Sequence, residues 1–124
     1  MEQYAIHESE VKWTELPGRN VKLIIGPKAF GPCKNMSMGI AEFPIGVVAP
    51  PHSHEHEEEV CYIVSGEGQL CVGERIETLK RGVCVYVPPR IVHQTRNTGK
   101  DILKVLYVFS PPLTSGGRAE GDEK

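Results

Sequence analysis

Glycine and proline interrupt this chain so often that a long helix has almost no place to form. The 124 residues include 13 glycines and 10 prolines, nearly a fifth of the chain, whereas average usage of the two together is about 12%. Both residues are poor helix formers, and both are frequent in the turns that join short strands. The composition therefore favours an all-β fold.

The segments between these breakers have the composition of short β-strands. They are rich in β-branched and aromatic residues, and no segment shows a convincing helical period. The stretch Ser65-Gly66-Glu67-Gly68 is predicted to be the turn of a β-hairpin. Eight or nine short strands separated by turns are typical of a β-sandwich or a closed barrel. The predicted strands include residues 21–25, 36–43, 60–64, 69–72, 74–79, 83–87, 91–96 and 102–109.

The length leaves room for one compact domain. We predict an N-terminal arm over residues 1–20, a β-barrel over residues 21–112 and a disordered tail over residues 113–124, because residues 114–124 include no large apolar side chain. No apolar run approaches the roughly 18 residues of a membrane span, and no basic segment precedes an apolar stretch at the N-terminus. We therefore expect a cytoplasmic protein.

The charge balance argues against two classes of partner. Lys and Arg number 14 against 16 Asp and Glu, so the formal net charge is −2. Such a chain has no electrostatic reason to bind nucleic acid or an anionic membrane surface. The four cysteines show no CxxC spacing, and we expect them to be reduced thiols that pack in the core.

Histidine is concentrated in one short tract. Three of the five histidines are His52, His54 and His56, three glutamates follow at residues 57–59, and His93 comes after a proline-rich corner. Residues i and i+2 of an extended strand share a face, so His52 and His54 can aim their rings at one point. Two or three imidazoles with one carboxylate suit Fe, Mn, Ni, Zn or Cu. The alternative is a solvated acidic loop that binds metal only adventitiously.

The spacing of these residues resembles the two signature motifs of the cupin superfamily, G-x5-H-x-H-x(3,4)-E-x6-G and G-x5-P-x-G-x2-H-x3-N. Nine of the ten fixed positions agree. The first motif is matched by Gly46, His52, His54, Glu59 and Gly66. The second is matched by Gly82, Pro88, His93 and Asn97, with Arg90 in place of the family's second glycine.

The resemblance implies an antiparallel β-barrel, the double-stranded β-helix or jelly-roll-like fold of the cupins, with one divalent transition metal per chain. Glu59 is preferred to Glu58 as the carboxylate ligand, because Glu59 keeps the motif's six-residue gap to Gly66. The resemblance also implies a homodimer. By the family's motif, the metal ligands are His52, His54, Glu59 and His93.

Other side chains are candidates for the surroundings of the metal. His56 continues the i, i+2 alternation, as a spare ligand or second-sphere base, or it is exposed in a turn. Arg90 is a surface residue or a cation at the pocket mouth that meets an anionic substrate, and because it replaces the family's glycine, the sequence leaves the backbone geometry of that corner open. Four bulky residues are expected to line the cavity or to belong to the core: Met38, Ile40, Tyr86 and Tyr107.

Three functions are compatible with such a site. The first is a small-molecule metalloenzyme of the dioxygenase, isomerase, decarboxylase or lyase class that acts on an oxygen-rich metabolite, with the metal as Lewis acid or activator of dioxygen. The second is a non-catalytic module that binds or senses a small ligand through the metal. The third is a structural barrel with a vestigial site. Fold analogy does not choose among the reaction classes.

Overall fold

The computed structural model describes residues 3–113, which form two antiparallel sheets without an α-helix. A single 3-10 turn, Glu8–Glu10, precedes the strands. The predicted all-β fold is confirmed. The nine strands are β1 (Thr14–Leu16), β2 (Arg19–Ile25), β3 (Ser37–Phe43), β4 (Glu58–Ser65), β5 (Glu67–Val72), β6 (Arg75–Lys80), β7 (Cys84–Val87), β8 (His93–Asn97) and β9 (Leu103–Ser110).

The strands divide into a larger and a smaller sheet that enclose one core. The larger has the order β1-β2-β3-β9-β4-β7, and the smaller has the order β6-β5-β8. Single bridges from Val48 to Arg96 and from His52 to His93 extend the smaller sheet beyond β8. Within residues 3–113 the sheets do not join into a continuous closed barrel. The architecture is the jelly roll that the sequence resemblance implies.

The predicted hairpin at Gly66 is wrong, because β4 and β5 belong to different sheets. Gly66 has a φ of 88°, and a Cβ atom built there would lie 2.5 Å from the carbonyl oxygen of Ile102. The glycine therefore lets the chain cross between the sheets in close contact with the segment before β9. A glycine between two apolar segments has the same sequence pattern whether the two flanking strands pair with each other or belong to different sheets.

The alternation of β9 shows how the core is made. Leu103, Val105, Tyr107 and Phe109 are buried, and the residues between them are partly exposed. Because alternate residues of a strand share a face, these four side chains point between the sheets. There they belong to the same cluster as Leu70 and Leu79 of the smaller sheet.

The N-terminal arm packs on the outer side of the larger sheet. Lys22 is only 7% exposed; its Nζ donates a hydrogen bond of 3.0 Å to the carbonyl oxygen of Glu8 and lies 4.5 Å from the centre of the Trp13 ring. The aromatic face and the carbonyl oxygen together stabilise a buried ammonium group. The arm thus adds β1 to the sheet and covers part of β2.

The predicted tail lies almost entirely outside the described residues. Its first residue, Leu113, is buried, and its N–H donates a hydrogen bond of 2.9 Å to Oγ of Ser37. Along the part of the chain that the structure describes, no helix is long and apolar enough to cross a membrane.

Asn97, the last residue of the second motif, joins three segments of the chain. Its side chain is buried, and Nδ2 donates to the carbonyl oxygens of Phe43 (2.8 Å) and Asp101 (2.9 Å). Its Oδ1 accepts a hydrogen bond of 3.0 Å from the N–H of Gly99. One amide group therefore connects the end of β3, the end of β8 and the turn before β9.

We predict that Asn97→Ala lowers the free energy of unfolding by about 3 kcal/mol, because a buried side chain loses three hydrogen bonds. Urea unfolding measures the change. The matched control is Asn35→Ala, since Asn35 is exposed and its substitution should cost no more than about 0.5 kcal/mol. Equal effects of the two substitutions would show that the Asn97 amide does not stabilise the fold.

Candidate metal centre

His52 and His93 lie directly opposite each other in the backbone. The N–H of His52 donates to the carbonyl oxygen of His93 at 3.0 Å, and the N–H of His93 donates back to His52 at 2.8 Å. Opposed residues of an antiparallel pair project their side chains to the same face. The centres of the two rings are accordingly 4.3 Å apart.

His54 completes a group of three histidines. Its side chain is buried, and its ring centre lies 5.0 Å from that of His52 and 5.3 Å from that of His93. The edge-to-face contact with Phe109, at 4.8 Å, packs the ring against the core. One ligand nitrogen from each histidine lies within 4.8 Å of the other two. The three histidines can hold a metal ion.

The backbone fixes the rings of two of these histidines. Nδ1 of His52 lies 3.3 Å from the carbonyl oxygen of Pro50, and Nδ1 of His93 lies 3.0 Å from that of Ile91. A carbonyl oxygen only accepts, so each Nδ1 carries a hydrogen, and whenever the ring is neutral the lone pair is on Nε2. Such a contact is the usual way in which a protein orients a metal-binding imidazole.

The charge state of His52 also suits a ligand. Burial lowers the pKa of His52 to about 4, and the neighbouring cationic groups, His93 first among them, act in the same direction. The ring is therefore neutral near pH 7. A neutral imidazole is the form that binds a metal.

Glu59 borders two of the histidines from strand β4. Its Oε1 lies 3.4 Å from Nε2 of His93 and 3.7 Å from Nε2 of His54, both longer than a typical hydrogen bond. Burial alone would raise the pKa of the Glu59 carboxyl, but His93, followed by His54, outweighs it, and the pKa falls below its usual value. A buried, ionised oxygen beside imidazole nitrogens fits a divalent transition metal.

Cys61 holds the other oxygen of this carboxylate. Its Sγ donates to Oε2 of Glu59 at 3.2 Å. Burial raises the pKa of the Cys61 thiol, and the Glu59 charge raises it further, so the thiol keeps its proton and acts as a donor. The sequence analysis gave Cys61 only a packing role. The i, i+2 spacing from Glu59 on one strand is the signal that would have found this contact.

The histidines and Glu59 lie in a cavity between the sheets. Its walls are mostly apolar and include Phe43, Leu70 and Val87. The space open to the centres of water-sized molecules is about 60 Å³, and one water needs about 10–15 Å³ of such space. The cavity therefore admits only a few atoms beside a metal ion.

Three of the four predicted cavity residues lie elsewhere. The Tyr107 ring does line the cavity. Met38 and Ile40 do not, because they alternate along β3 with Ala41, which does line it. Tyr86 is 53% exposed, and its hydroxyl donates to the carboxylate of Glu58 on the outer surface.

His56 also lies away from the cavity. It is exposed in a bend, where its N–H donates to Oε1 of Glu57. Of the alternatives that the sequence left open for His56, the exposed position in a turn is the one observed. His56 therefore belongs to the same histidine-rich tract as His52 and His54 without sharing their surroundings.

Arg90 supports the loop that carries His54 and does not line the cavity. It has a φ of 65°, in the left-handed region where the motif has glycine. Its N–H donates to the carbonyl oxygen of His54 at 2.7 Å, and its Nη1 donates to that of Glu55 at 3.2 Å. The unusual corner therefore exists without the glycine, and the side chain contacts the loop beside it.

The cation that does line the cavity is Arg19, which the sequence analysis missed. The predicted barrel began two residues later, at Val21, whereas β2 begins at Arg19. The strand period is the signal that would have found Arg19. Arg19 and Val21 are two residues apart on one strand, and both line the cavity.

A comparison with known families agrees with this geometry. A family model for the cupin domain matches residues 39–109, which is more than half of the chain. The chain is a cupin. An uncharacterized protein of Streptomyces coelicolor is 37% identical to this cupin over 79 residues, covering 64% of this chain and 73% of that protein.

Two solved structures are similar in fold. One, from Thermotoga maritima, is described as a predicted oxalate decarboxylase; its TM-score is 0.77 at 22% identity, over 87% of this cupin and 99% of that chain. The other is an oxalate decarboxylase of Lactobacillus farciminis in a formate complex. Its TM-score is 0.79 at 27% identity, over 88% of this cupin but only 33% of that chain.

We predict that the metal-free cupin loses stability as the pH falls from about 6.5 to about 4. The pKa of His52 is about 4 in the folded protein and about 6.5 in an unfolded chain, so between these values the unfolded state binds the extra proton. Above pH 6.5 both states are neutral and the effect disappears. Urea unfolding at several pH values measures it. His52→Gln should reduce the slope, and the control His56→Gln, at an exposed position, should not.

If the pH slope of His52→Gln equals that of the wild type, the buried ring does not titrate as described.

A second prediction concerns the backbone at Arg90. Arg90→Gly and Arg90→Ala both lose the bond from Nη1 to Glu55 and both keep the N–H bond to His54. In the left-handed backbone conformation of residue 90, alanine keeps the steric strain of a Cβ atom, which costs about 1–2 kcal/mol, and glycine does not. Arg90→Gly should therefore be about 1 kcal/mol more stable to urea than Arg90→Ala. Equal stability would contradict a strained corner.

Proposed function

We propose that this cupin is a metal-dependent enzyme that acts on a small, oxygen-rich metabolite. The observation that carries the proposal is the convergence of His52, His54 and His93 on one buried cavity. A divalent transition metal bound there supplies a Lewis acid, or a site that binds dioxygen, next to the substrate. Together with the three histidines, Glu59 would hold the ion, and the ion would supply the site at which a small molecule binds.

The residues around the site have separate tasks in this proposal. The three imidazoles and the Glu59 carboxylate bind the ion, and the Cys61 thiol orients the carboxylate through Oε2. The apolar walls exclude bulk water, which strengthens every electrostatic interaction inside the cavity. The small volume selects a substrate with few atoms.

The solved structures support this class of function without choosing the reaction. One similar structure is described as an oxalate decarboxylase and another as a predicted oxalate decarboxylase, so a decarboxylase is one candidate beside the dioxygenase, isomerase and lyase classes. Fold analogy alone does not decide among them. A non-catalytic binding or sensing module remains the second candidate, because the same ligands would hold a metal and a small ligand without turnover.

We also propose that the cupin works in the cytoplasm and as the homodimer that the family resemblance implies. The outer face of β4 and β7 supports a second copy as the partner. Val60, Tyr62 and Tyr86 are each about half exposed there, and β7 is an edge strand of the larger sheet. An apolar surface beside an open edge is the kind that a partner covers.

Elemental analysis of the purified protein tests the metal centre. We expect about one transition-metal ion per chain in the wild type and little in His93→Ala, because one of three convergent imidazoles is lost. The matched control is His56→Ala, which removes an exposed histidine of the same tract. Oxygen consumption and product analysis over a panel of metabolites then separate an oxygenase, a non-redox enzyme and a binding module.

Two results would contradict the proposal. A wild type that retains no metal after overexpression in metal-supplemented medium would indicate a vestigial site. Equal metal loss in His56→Ala and His93→Ala would indicate adventitious binding by the exposed tract.

A further inference from the structure

Arg19 lies at the edge of the cavity, at the start of strand β2. It pairs with Leu16 across the β1–β2 hairpin, and its half-buried side chain lines the same cavity as the three histidines. Val21, two residues further, is almost fully buried and lines the cavity as well. The pleat of β2 thus directs both side chains inward.

The turn of this hairpin packs on the segment that leads to His52. Gly18 has a φ of 74°, and a Cβ atom built there would lie 2.9 Å from Cα of Ala49 and 3.3 Å from Cδ of Pro50. The carbonyl oxygen of Pro50 also contacts Nδ1 of His52. The close packing at Gly18 therefore places the start of β2 on the His52 side of the site.

The guanidinium group is held near this turn. Nη1 of Arg19 donates a hydrogen bond of 3.2 Å to the carbonyl oxygen of Pro17. The Arg19 side chain also lines the same cavity as His52. Arg19 is thus a fixed positive charge beside a predicted metal ligand.

The charges of the cavity favour an anion. Among the described residues that line it, Glu59 is the one acid, and it faces His54 and His93. The rest of the lining is largely apolar. A planar guanidinium group matches the two oxygens of a carboxylate better than any other side chain does.

We propose that Arg19 binds a carboxylate group of the substrate and that the substrate class is therefore small carboxylates. The inference rests on the proposed function, because it takes the metal centre as the place where the rest of the substrate binds. The size limit comes from the cavity, whose space for water-sized molecules is about 60 Å³. A carboxylate with a few carbon atoms satisfies both the charge and the volume.

The experiment uses the full-length protein loaded with zinc and dialysed free of excess metal. Isothermal titration calorimetry measures the binding of oxalate and of oxamide, a neutral molecule with the same number of non-hydrogen atoms. We expect the Kd of oxalate to rise about tenfold or more in Arg19→Met, as for loss of a charge-assisted hydrogen bond. The Kd of oxamide should change by less than about twofold, since it carries no charge.

The matched control is Arg96→Met, which removes the same charge from an exposed position on β8. Its neighbour Thr95 lines the cavity, so the Arg96 side chain points to the opposite face. Oxalate binding should be the same in Arg96→Met as in the wild type. Zinc content is measured in every variant, which separates a lost carboxylate contact from a lost metal.

Other results would contradict either the role of Arg19, the carboxylate substrate class or the metal centre. Wild-type affinity for oxalate in Arg19→Met, with zinc retained, would remove Arg19 from the substrate site and leave the metal centre intact. Equal weakening of oxalate and oxamide would show that Arg19 acts through shape and not through charge. Failure of the zinc-loaded wild type to bind oxalate would overturn the carboxylate class. Failure of the wild type to hold zinc or any other divalent transition metal would overturn the proposed function instead.

Discussion

The pair of backbone hydrogen bonds between His52 and His93 is the contact on which the site depends. These bonds attach the segment before β4 to strand β8, and so bring the two halves of the motif pattern to one point. The side chains follow because opposed residues share a face. The carbonyl oxygens of Pro50 and Ile91 then turn each ring so that Nε2 is available. Sheet pairing, rather than side-chain chemistry, gathers the histidines.

Much of this could be predicted from the sequence, because the strand period and the motif spacing are local properties. The frequent breakers gave the all-β class, and the i, i+2 spacing placed His52 and His54 together. The partnership of β4 and β5 could not be predicted in the same way. A glycine such as Gly66 permits either a hairpin or a crossing, and the contact with Ile102 that decides between them is far away in the chain.

The surroundings of the site were harder to predict than the candidate ligands. Deciding which face of β3 points inward requires knowing the position of the second sheet, so Met38 and Ile40 were left as candidates for the cavity or the core, and it is Ala41 that lines the cavity. The two arginines illustrate the same limit. Arg90 was visible as a departure from a motif, whereas Arg19 lies outside both motifs and reaches the cavity only because the hairpin turn packs against Pro50.

The first hairpin, with Arg19, and the three histidines lie in different parts of the chain. The histidines lie within the stretch 39–109 that the family model covers, and Arg19 lies before it. If Arg19 binds the substrate as proposed, changes in the first hairpin alter which molecules enter the cavity while the three histidines stay the same. Relatives with identical motifs can differ in the charge of what they accept, and the first twenty residues are the place to look for that difference.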